Sequence, residues 1–371
     1  MHALAAVAGV AIVLVILWDA FEALVLPRRV TRRLRPTRFF YASTWQVWKI
    51  AARGMRPGSR RETYLSYYAP LSLLLLLMTW AASLVVGFAL LQWSQGPALK
   101  TPDGSSTYRD ALYMSASSFF TLGLGDVVPV TGIARALTVI EAGMGFMFLA
   151  IMVGYLPVLN QAFSRREVSI VLLDARAGSP PSASELMRRH GDDPVGLVAL
   201  LREWERWAAD FLESHLSYPV LTYFRSQHDN QSWLAALTTI LDASALISVT
   251  MQGEPARQAR LTFAMARHAV VDVAQVLRRA PRLDAPDRLS PVDARVLEQV
   301  VRTIGVLADP PLQELRLLRA MYEPYVFALS DHLLMPLPAW AGESAHDNWR
   351  TSAWEREPFG RAPGRRDVHD Q

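Results

Sequence analysis

Ten residues, Thr121-Leu122-Gly123-Leu124-Gly125-Asp126-Val127-Val128-Pro129-Val130, lie between two long apolar stretches, and they constrain this chain more than any other segment. Glycine recurs at alternate positions, Gly123 and Gly125, with Thr121 before and Asp126 after. Successive carbonyls can point to one side only where some residues take backbone angles that L-side chains resist. Glycine takes them at little steric cost. The alternation therefore suits a ladder of backbone oxygens. The Thr121 hydroxyl can add the innermost oxygen, and Asp126 can set a negative charge at the outer end. Such oxygens can replace the hydration shell of a cation. A glycine turn is the plain reading of an isolated G-x-G, but the flanking Thr, Asp and apolar stretches argue against it here.

Composition divides the chain into two regimes. It has 371 residues, 51% of them hydrophobic, and a mean hydropathy of +0.15. The apolar excess falls in the first ~160 residues, as three stretches near or above the ~20 residues that cross a bilayer. Formal net charge is +4. Much of the basic excess sits in one early loop, which points to membrane topology and away from nucleic acid. The chain has no cysteine, which excludes disulfides, cysteine nucleophiles and thiolate metal sites. The N-terminal apolar run lacks a basic leader and reads as a retained span.

The first span is expected over about Ala3–Leu26, in the region 1–27. Trp18, Asp19 and Glu22 in its last turns read as an interfacial ion-pair cluster beside Arg28 and Arg29, with a gating role as the alternative. Region 28–63 carries Arg28, Arg29, Arg32, Arg33, Arg35 and Arg38, then Lys49, Arg53, Arg56, Arg60 and Arg61. The positive-inside rule makes this loop cytoplasmic. Residues 39–50, with Phe39, Phe40, Tyr41, Trp45 and Trp48, pattern as an amphipathic helix that either lies on the inner leaflet or packs on the protein. A second span over about Tyr64–Trp93 then leads outward. Thr107-x-x-Asp110 is a capping box for a short helix over about Tyr108–Phe120. The third span is about Ile133–Phe163, with Arg165 and Arg166 inside. It contains Gly143, Gly145, Gly154 and Pro157, which allow close packing or bending. Its lone acid, Glu141, is either functional or a hydrogen-bonded group bracing the short helix.

Region 167–335 changes character and reads as a helical cytoplasmic domain. Ser182-x-x-Glu185 resembles a capping box, and Asp193-Pro194, Glu254-Pro255, Ser290-Pro291 and Asp309-Pro310 each place proline early in a helical pattern. Helical periodicity runs through 194–215, 232–251, 255–280, 291–307 and 311–335. Strand alternation shows only at Val168–Leu173. Region 336–371, rich in Pro, Gly and charge, reads as disordered.

With spans, short helix and ladder placed, residues 64–166 resemble the pore domain of the potassium channel family, whose filter pattern is T-V-G-Y-G-D. The resemblance implies an all-α membrane protein with span, pore helix, filter and span. One extra N-terminal span and a helical C-terminal domain are added to it. It implies that Thr121, Leu122, Gly123 and Leu124 line a conduction pathway with oxygens, that Gly125 shapes its outer end, and that Asp126 is the mouth aspartate. Gly145 falls where related inner helices carry a hinge glycine, and Gly154 and Pro157 are further gating candidates. Potassium ions in the filter are the expected cargo, with no other cofactor or metal. One filter per chain implies a homotetramer around one pore. Four pore-helix C-termini would aim their partial negative charge at the cavity. Membrane lipids and an unknown cytoplasmic regulator are the other expected partners. The expected location is the plasma membrane, a bacterial inner membrane, with the N-terminus outside and the C-terminus cytoplasmic.

The sequence departs from the family at Leu122 and Leu124, which replace valine and tyrosine, and at Met114 and Phe120. Leucine cannot supply the tyrosine hydroxyl, so apolar packing is expected to brace this filter. A nonselective cation channel of the same fold is the nearest alternative. A membrane-anchored sensor or enzyme on a pore-like scaffold is the alternative from another class. Region 167–335 has no G-x-G-x-x-G, P-loop or H-E-x-x-H pattern. His228 and Asp229 are adjacent, off metal-ligand spacing, and read as a polar loop before a helix near Trp233. No enzymatic activity is expected.

Overall fold

The computed structural model describes residues 1–24, 26, 35–102, 104, 106–228, 231–304 and 312–341. Arg28, Arg29, Arg32, Arg33, Asp229, the Asp309-Pro310 pair and residues 342–371 lie outside the described residues. The chain forms two compact units, Met1–Ala162 and Phe163–Gln371. The sequence reading set this boundary at 166.

The first unit opens with α1 (His2–Leu24) and continues through α2 (Pro36–Arg53), α3 (Ser59–Ser66) and α4 (Tyr68–Trp93). Then come β1 (Leu99–Lys100), α5 (Tyr108–Phe119), β2 (Val128–Pro129) and α6 (Gly132–Ala177), which runs on into the second unit. β1 and β2 pair antiparallel, Leu99 with Pro129 and Lys100 with Val128. α1 and α4 cross where both lack side chains: a Cβ at Gly9 would stand 2.7 Å from the Gly87 carbonyl oxygen, and one at Gly87 2.8 Å from Val13 Cγ2. In lipid such close backbone approach supplies the packing that apolar burial cannot. At the far end of α1, Asp19 is buried and accepts from Thr37 N at 3.0 Å and Trp80 Nε1 at 3.1 Å. Glu22 accepts from Trp18 Nε1 at 2.7 Å and lies 3.3 Å from Arg35 Nε. Among the described residues, Arg35 is thus the cation of the acidic cluster.

The second unit holds the end of α6, then α7 (Ala183–His190), α8 (Pro194–Ser217), a 3-10 turn at Pro219–Tyr223, α9 (Trp233–Thr250) and α10 (Gly253–Val276). α11 (Pro291–Thr303), α12 (Leu312–Ala320) and α13 (Glu323–Leu333) follow. Side-chain caps start several of these: Ser182 accepts from Glu185 N, Asp193 from Gly196 N, Ser232 from Ala235 N and Ser290 from Asp293 N. α10 packs on α8 and α9, and α9 is the core helix.

Among the described residues, four helical stretches are long and apolar enough to cross a membrane: His2–Leu24, Ser59–Trp93, Gly132–Ala177 and Trp233–Thr250. The apolar window of the last is 89% buried within its own unit, against 17% for that of Gly132–Ala177 and 22% for that of His2–Leu24. A helix already covered by protein has no apolar face left for lipid, so α9 is core and the other three are spans. The protein is an all-α, multi-pass membrane protein.

The structure corrects several sequence expectations. Val168–Leu173 is helical, the continuation of α6: Arg166, Ile170, Leu173 and Ala177 are buried at helical spacing, while Val168 and Val171 are exposed. Residues 311–335 break into α12 and α13, with Pro324 at the start of the second. Trp340, in the segment read as disordered, is fully buried. Its backbone carbonyl accepts from Ser184 N at 3.2 Å, and its ring lies under Arg288 and Arg319 at 5.9 and 5.4 Å.

Candidate functional site

The site is built on α5. Thr107 and Asp110 close a reciprocal capping box, with Thr107 N donating to Asp110 Oδ2 at 2.8 Å and Asp110 N to Thr107 Oγ1 at 3.5 Å. Twelve residues extend only about 18 Å, well short of a ~30 Å hydrocarbon core. The chain therefore turns back within the first unit. Its C-terminal end carries partial negative charge at Phe119–Phe120.

Directly after this end the backbone alternates in hand. Thr121 has φ 58°, Gly123 59° and Gly125 77°. Leu122 N and Gly123 N both donate to Ser117 O, at 2.8 and 3.4 Å. In a trans peptide the carbonyl points opposite to the N–H it is joined to. The Thr121 and Leu122 carbonyls therefore both point away from α5, to one side. In an extended strand they would alternate. An ideal Cβ at Gly123 or Gly125 meets nothing within 4 Å, so the backbone angle demands glycine there, not space. Thr121 takes the same left-handed region with a β-branched side chain, a conformation that persists only where the surroundings fix it. The sequence pattern pointed to the glycines and missed this third left-handed residue.

The Asp126 end is held in place by three features. Asp126 Oδ1 accepts from Val127 N at 3.1 Å, and the Tyr113 hydroxyl of α5 faces the same side chain. Val130 N donates to Ala98 O at 2.9 Å beside the β1–β2 pair. Met114 packs with Ala89, Leu99 and Ala111, with Val127 against them. Apolar packing around Met114 thus coexists with a polar tie from Tyr113. Sequence reasoning missed Tyr113, since no local spacing rule links a helix residue to a later loop.

Behind α5, Glu141 of α6 is fully buried. Ser115 Oγ lies within hydrogen-bond distance of Glu141 Oε1 and, at 2.7 Å, of the Val85 carbonyl of α4. Gln92 of α4 donates to Ala134 O and Thr138 Oγ1 of α6, both at 3.1 Å. Three helices thus meet behind the ladder. At Gly145 a Cβ would fall 1.9 Å from the Phe119 carbonyl oxygen, so glycine is required there by contact with the end of α5. Gly143 and Gly154 have nothing within 4 Å of such a Cβ. α6 stays helical through Gly145, Gly154 and Pro157. Leu122 and Leu124 are each 64% exposed in the single chain, and Phe120 is 53% exposed.

Residues 74–160 match the family model described as Ion channel. This ion channel match begins in α4, ends in α6, and includes α5, the Thr121–Asp126 turn and Glu141. A Bacillus subtilis (strain 168) protein named as the uncharacterized membrane protein YdjJ is 25% identical over 184 residues, 48% of this chain and 53% of that protein. Protein LctB of Geobacillus stearothermophilus is 32% identical over 87 residues, 21% of this chain and 64% of that protein. Protein LctB of Bacillus caldotenax is 31% identical over the same share of both chains. The chain thus spans 53–64% of the length of these relatives. No solved structure matches.

Proposed function

We propose that this chain is the subunit of a potassium-selective channel. Four copies would enclose one pore, with the carbonyls of Thr121, Leu122, Gly123 and Leu124 replacing the water around the ion. The observation that carries the reading is the alternating left-handed backbone at Thr121, Gly123 and Gly125, set at the C-terminal end of a short capped helix between spans. The ion channel match over 74–160 supports it. A single ladder has oxygens on one side only, and the exposed apolar faces of Leu122, Leu124 and Phe120 need covering. A homotetramer supplies both.

By the positive-inside rule, the arginine-rich loop before α4 is cytoplasmic, which sets the N-terminus outside, the Asp126 end of the filter outside and the C-terminus inside. Lipids contact the spans and α2, and the second unit is where a cytoplasmic regulator would act.

The test is ion flux from purified protein in liposomes. Potassium flux well above sodium flux is expected. Equal fluxes would favour the nonselective reading, for which the missing hydroxyl at Leu124 argues. Gly123→Ala or Gly125→Ala is expected to abolish flux while leaving insertion intact. A β-carbon at such a φ costs roughly 1–2 kcal/mol per site, repeated in every subunit. Wild-type flux in either variant would sink the filter assignment.

A further inference from the structure

Glu141 is the acid of the third span, and the hydrogen-bond geometry around it restricts where its proton can be. Ser115 Oγ has two neighbours within bonding distance: the Val85 carbonyl oxygen at 2.7 Å and Glu141 Oε1. A serine hydroxyl carries one proton, and a carbonyl can only accept. If the hydroxyl proton goes to Val85 O, the contact to Glu141 is a bond only when the carboxyl group donates. If the proton goes to Glu141 instead, the Val85 contact sets two oxygens face to face with no hydrogen between them. Both contacts are satisfied together in one state, with Glu141 as the neutral acid donating through Oε1 to Ser115 Oγ, and Ser115 donating to Val85 O.

The surroundings favour the same state. Glu141 is fully buried, and its second oxygen, Oε2, has no hydrogen-bond partner among the described residues. An ionised carboxylate would leave that oxygen charged and unpaired in an apolar site, which is far more costly than a neutral carbonyl oxygen. The titratable side chains of the helices packed around it are Tyr68 on α4 and Tyr108, Arg109, Asp110 and Tyr113 on α5, and among the described residues none of them, and no cation, pairs with it.

We infer that Glu141 is a positioning residue for conduction: as the neutral acid it completes a relay from α6 through Ser115 of α5 to Val85 of α4, and this relay holds the helix that ends at the filter. The inference rests on the channel reading above. Ser115 stands one helical turn before Phe119, whose carbonyl abuts Gly145, so the relay fixes the α5–α6 contact directly beneath Thr121. Removing the proton replaces a donor with an acceptor. Two acceptors then compete for one hydroxyl hydrogen, and α5 loses its tie either to α4 or to α6.

The test uses the full-length protein in liposomes, with wild type, Glu141→Gln, Glu141→Leu and Ser115→Ala. Glutamine keeps a donor that cannot be titrated. It is expected to conduct within about twofold of wild type near neutral pH. Wild-type flux is expected to fall about tenfold as pH is raised through the titration of Glu141, the effect of losing roughly one bond of 1.4 kcal/mol. The glutamine variant should stay flat, and the leucine and alanine variants should be low at every pH. A second readout does not depend on conduction: the infrared difference between wild type and Glu141→Gln should show a protonated-carboxyl stretching band near neutral pH that disappears at alkaline pH. A carboxylate band near neutral pH, or a glutamine variant as poor as leucine, would overturn the inference. If no variant conducts and the band is present, the channel reading fails and the proton assignment stands.

Discussion

Thr121, Gly123 and Gly125 share one backbone hand, but the sequence exposes them unequally. Glycine at alternate positions is a visible signal because few other needs explain it. A left-handed threonine carries no signal, since the strain at Thr121 is imposed by the end of α5 and the two amides bound to Ser117 O. Gly145 illustrates the converse. Its place in the sequence suggests a hinge, while its contact is a packing constraint against Phe119. We predict that Gly145→Ala disrupts the α5–α6 contact, at a cost of about 1–3 kcal/mol or more per subunit for overpacking, and lowers both oligomer yield and flux. Gly143→Ala and Gly154→Ala, with open space at the Cβ, should leave the oligomer intact. Size-exclusion chromatography in detergent with liposome flux separates these outcomes. A Gly145→Ala chain that assembles fully and alters only opening would support the hinge reading.

Among the elements, α2 combines the two alternatives that its periodicity leaves open. One face packs on the protein: Trp48 stacks on Tyr64 with centroids 4.5 Å apart, Trp45 meets Tyr68 edge-on at 4.7 Å, and Thr44 Oγ1 lies 3.0 Å from the Tyr68 hydroxyl. The other face presents Phe39, Val47 and Ile50, which are 77%, 70% and 62% exposed. Apolar side chains at this spacing, on a helix flanked by arginines, fit the interface of an anionic bilayer. Because the chain has no cysteine, Val47→Cys can carry a single environment-sensitive fluorophore. We predict blue-shifted emission in anionic vesicles and quenching by shallow brominated lipids. Emission like that of a water-exposed dye would place this face in solvent.

α8 offers a second prediction at this scale. His215 is buried, its Nδ1 is 2.8 Å from Phe211 O and its Nε2 is 3.3 Å from Arg166 Nη1. Arginine can only donate, so Nε2 accepts and the ring is neutral with its hydrogen on Nδ1. Burial, and then the Arg166 charge, push the imidazole well below its usual 6.5. The unfolded chain therefore binds the extra proton first. Stability from this group is complete above pH ~6.5 and falls as pH drops below it, by about 1.4 kcal/mol per pH unit until the folded group titrates. Thermal melts of the full chain should show this acid slope, and His215→Phe should flatten it. An identical slope in the variant would remove His215 as the cause.

At the scale of the whole molecule, α6 belongs to both units. It is a span in the first and a packed helix in the second, where Arg166 donates to Leu221 O at 2.9 Å and Phe224 O at 3.0 Å and pairs with Glu167 at 2.8 Å. Arg166 reads from the sequence as a topological signal after a span. The structure buries it in the second unit, so a cut there would remove packing partners from a residue left charged. Truncation after Ala162 respects the boundary. We predict that the truncated chain inserts and keeps its filter, with altered open probability or a smaller detergent-stable oligomer, because an opening equilibrium of a few kcal/mol is easily biased by a domain on the same helix. If neither quantity changes, the second unit has neither role.

The sequence by itself determined the spans, the capped α5 and the glycine alternation. Each follows from local chemistry: runs of apolar residues, a side chain reaching a nearby amide, or a backbone angle only glycine tolerates. It also implied most helices of the second unit, through caps and periodicity. Tertiary structure decided what depends on distant partners. α9 has the hydropathy of a span, and only its burial among helices of its own unit makes it core. Trp340 sits in a proline-rich stretch just before a charged tail, yet Arg288, Arg319 and Ser184 hold it in place. Asp242, an acid in an apolar helix, is explained by Arg288 at 2.5 Å and the Tyr322 hydroxyl. Tyr113 reaching Asp126, and Ser115 lying between Glu141 and Val85, are pairings of the same kind. A buried polar group needs a partner, but sequence order does not say which one, because the partner comes from whichever helix packs against it.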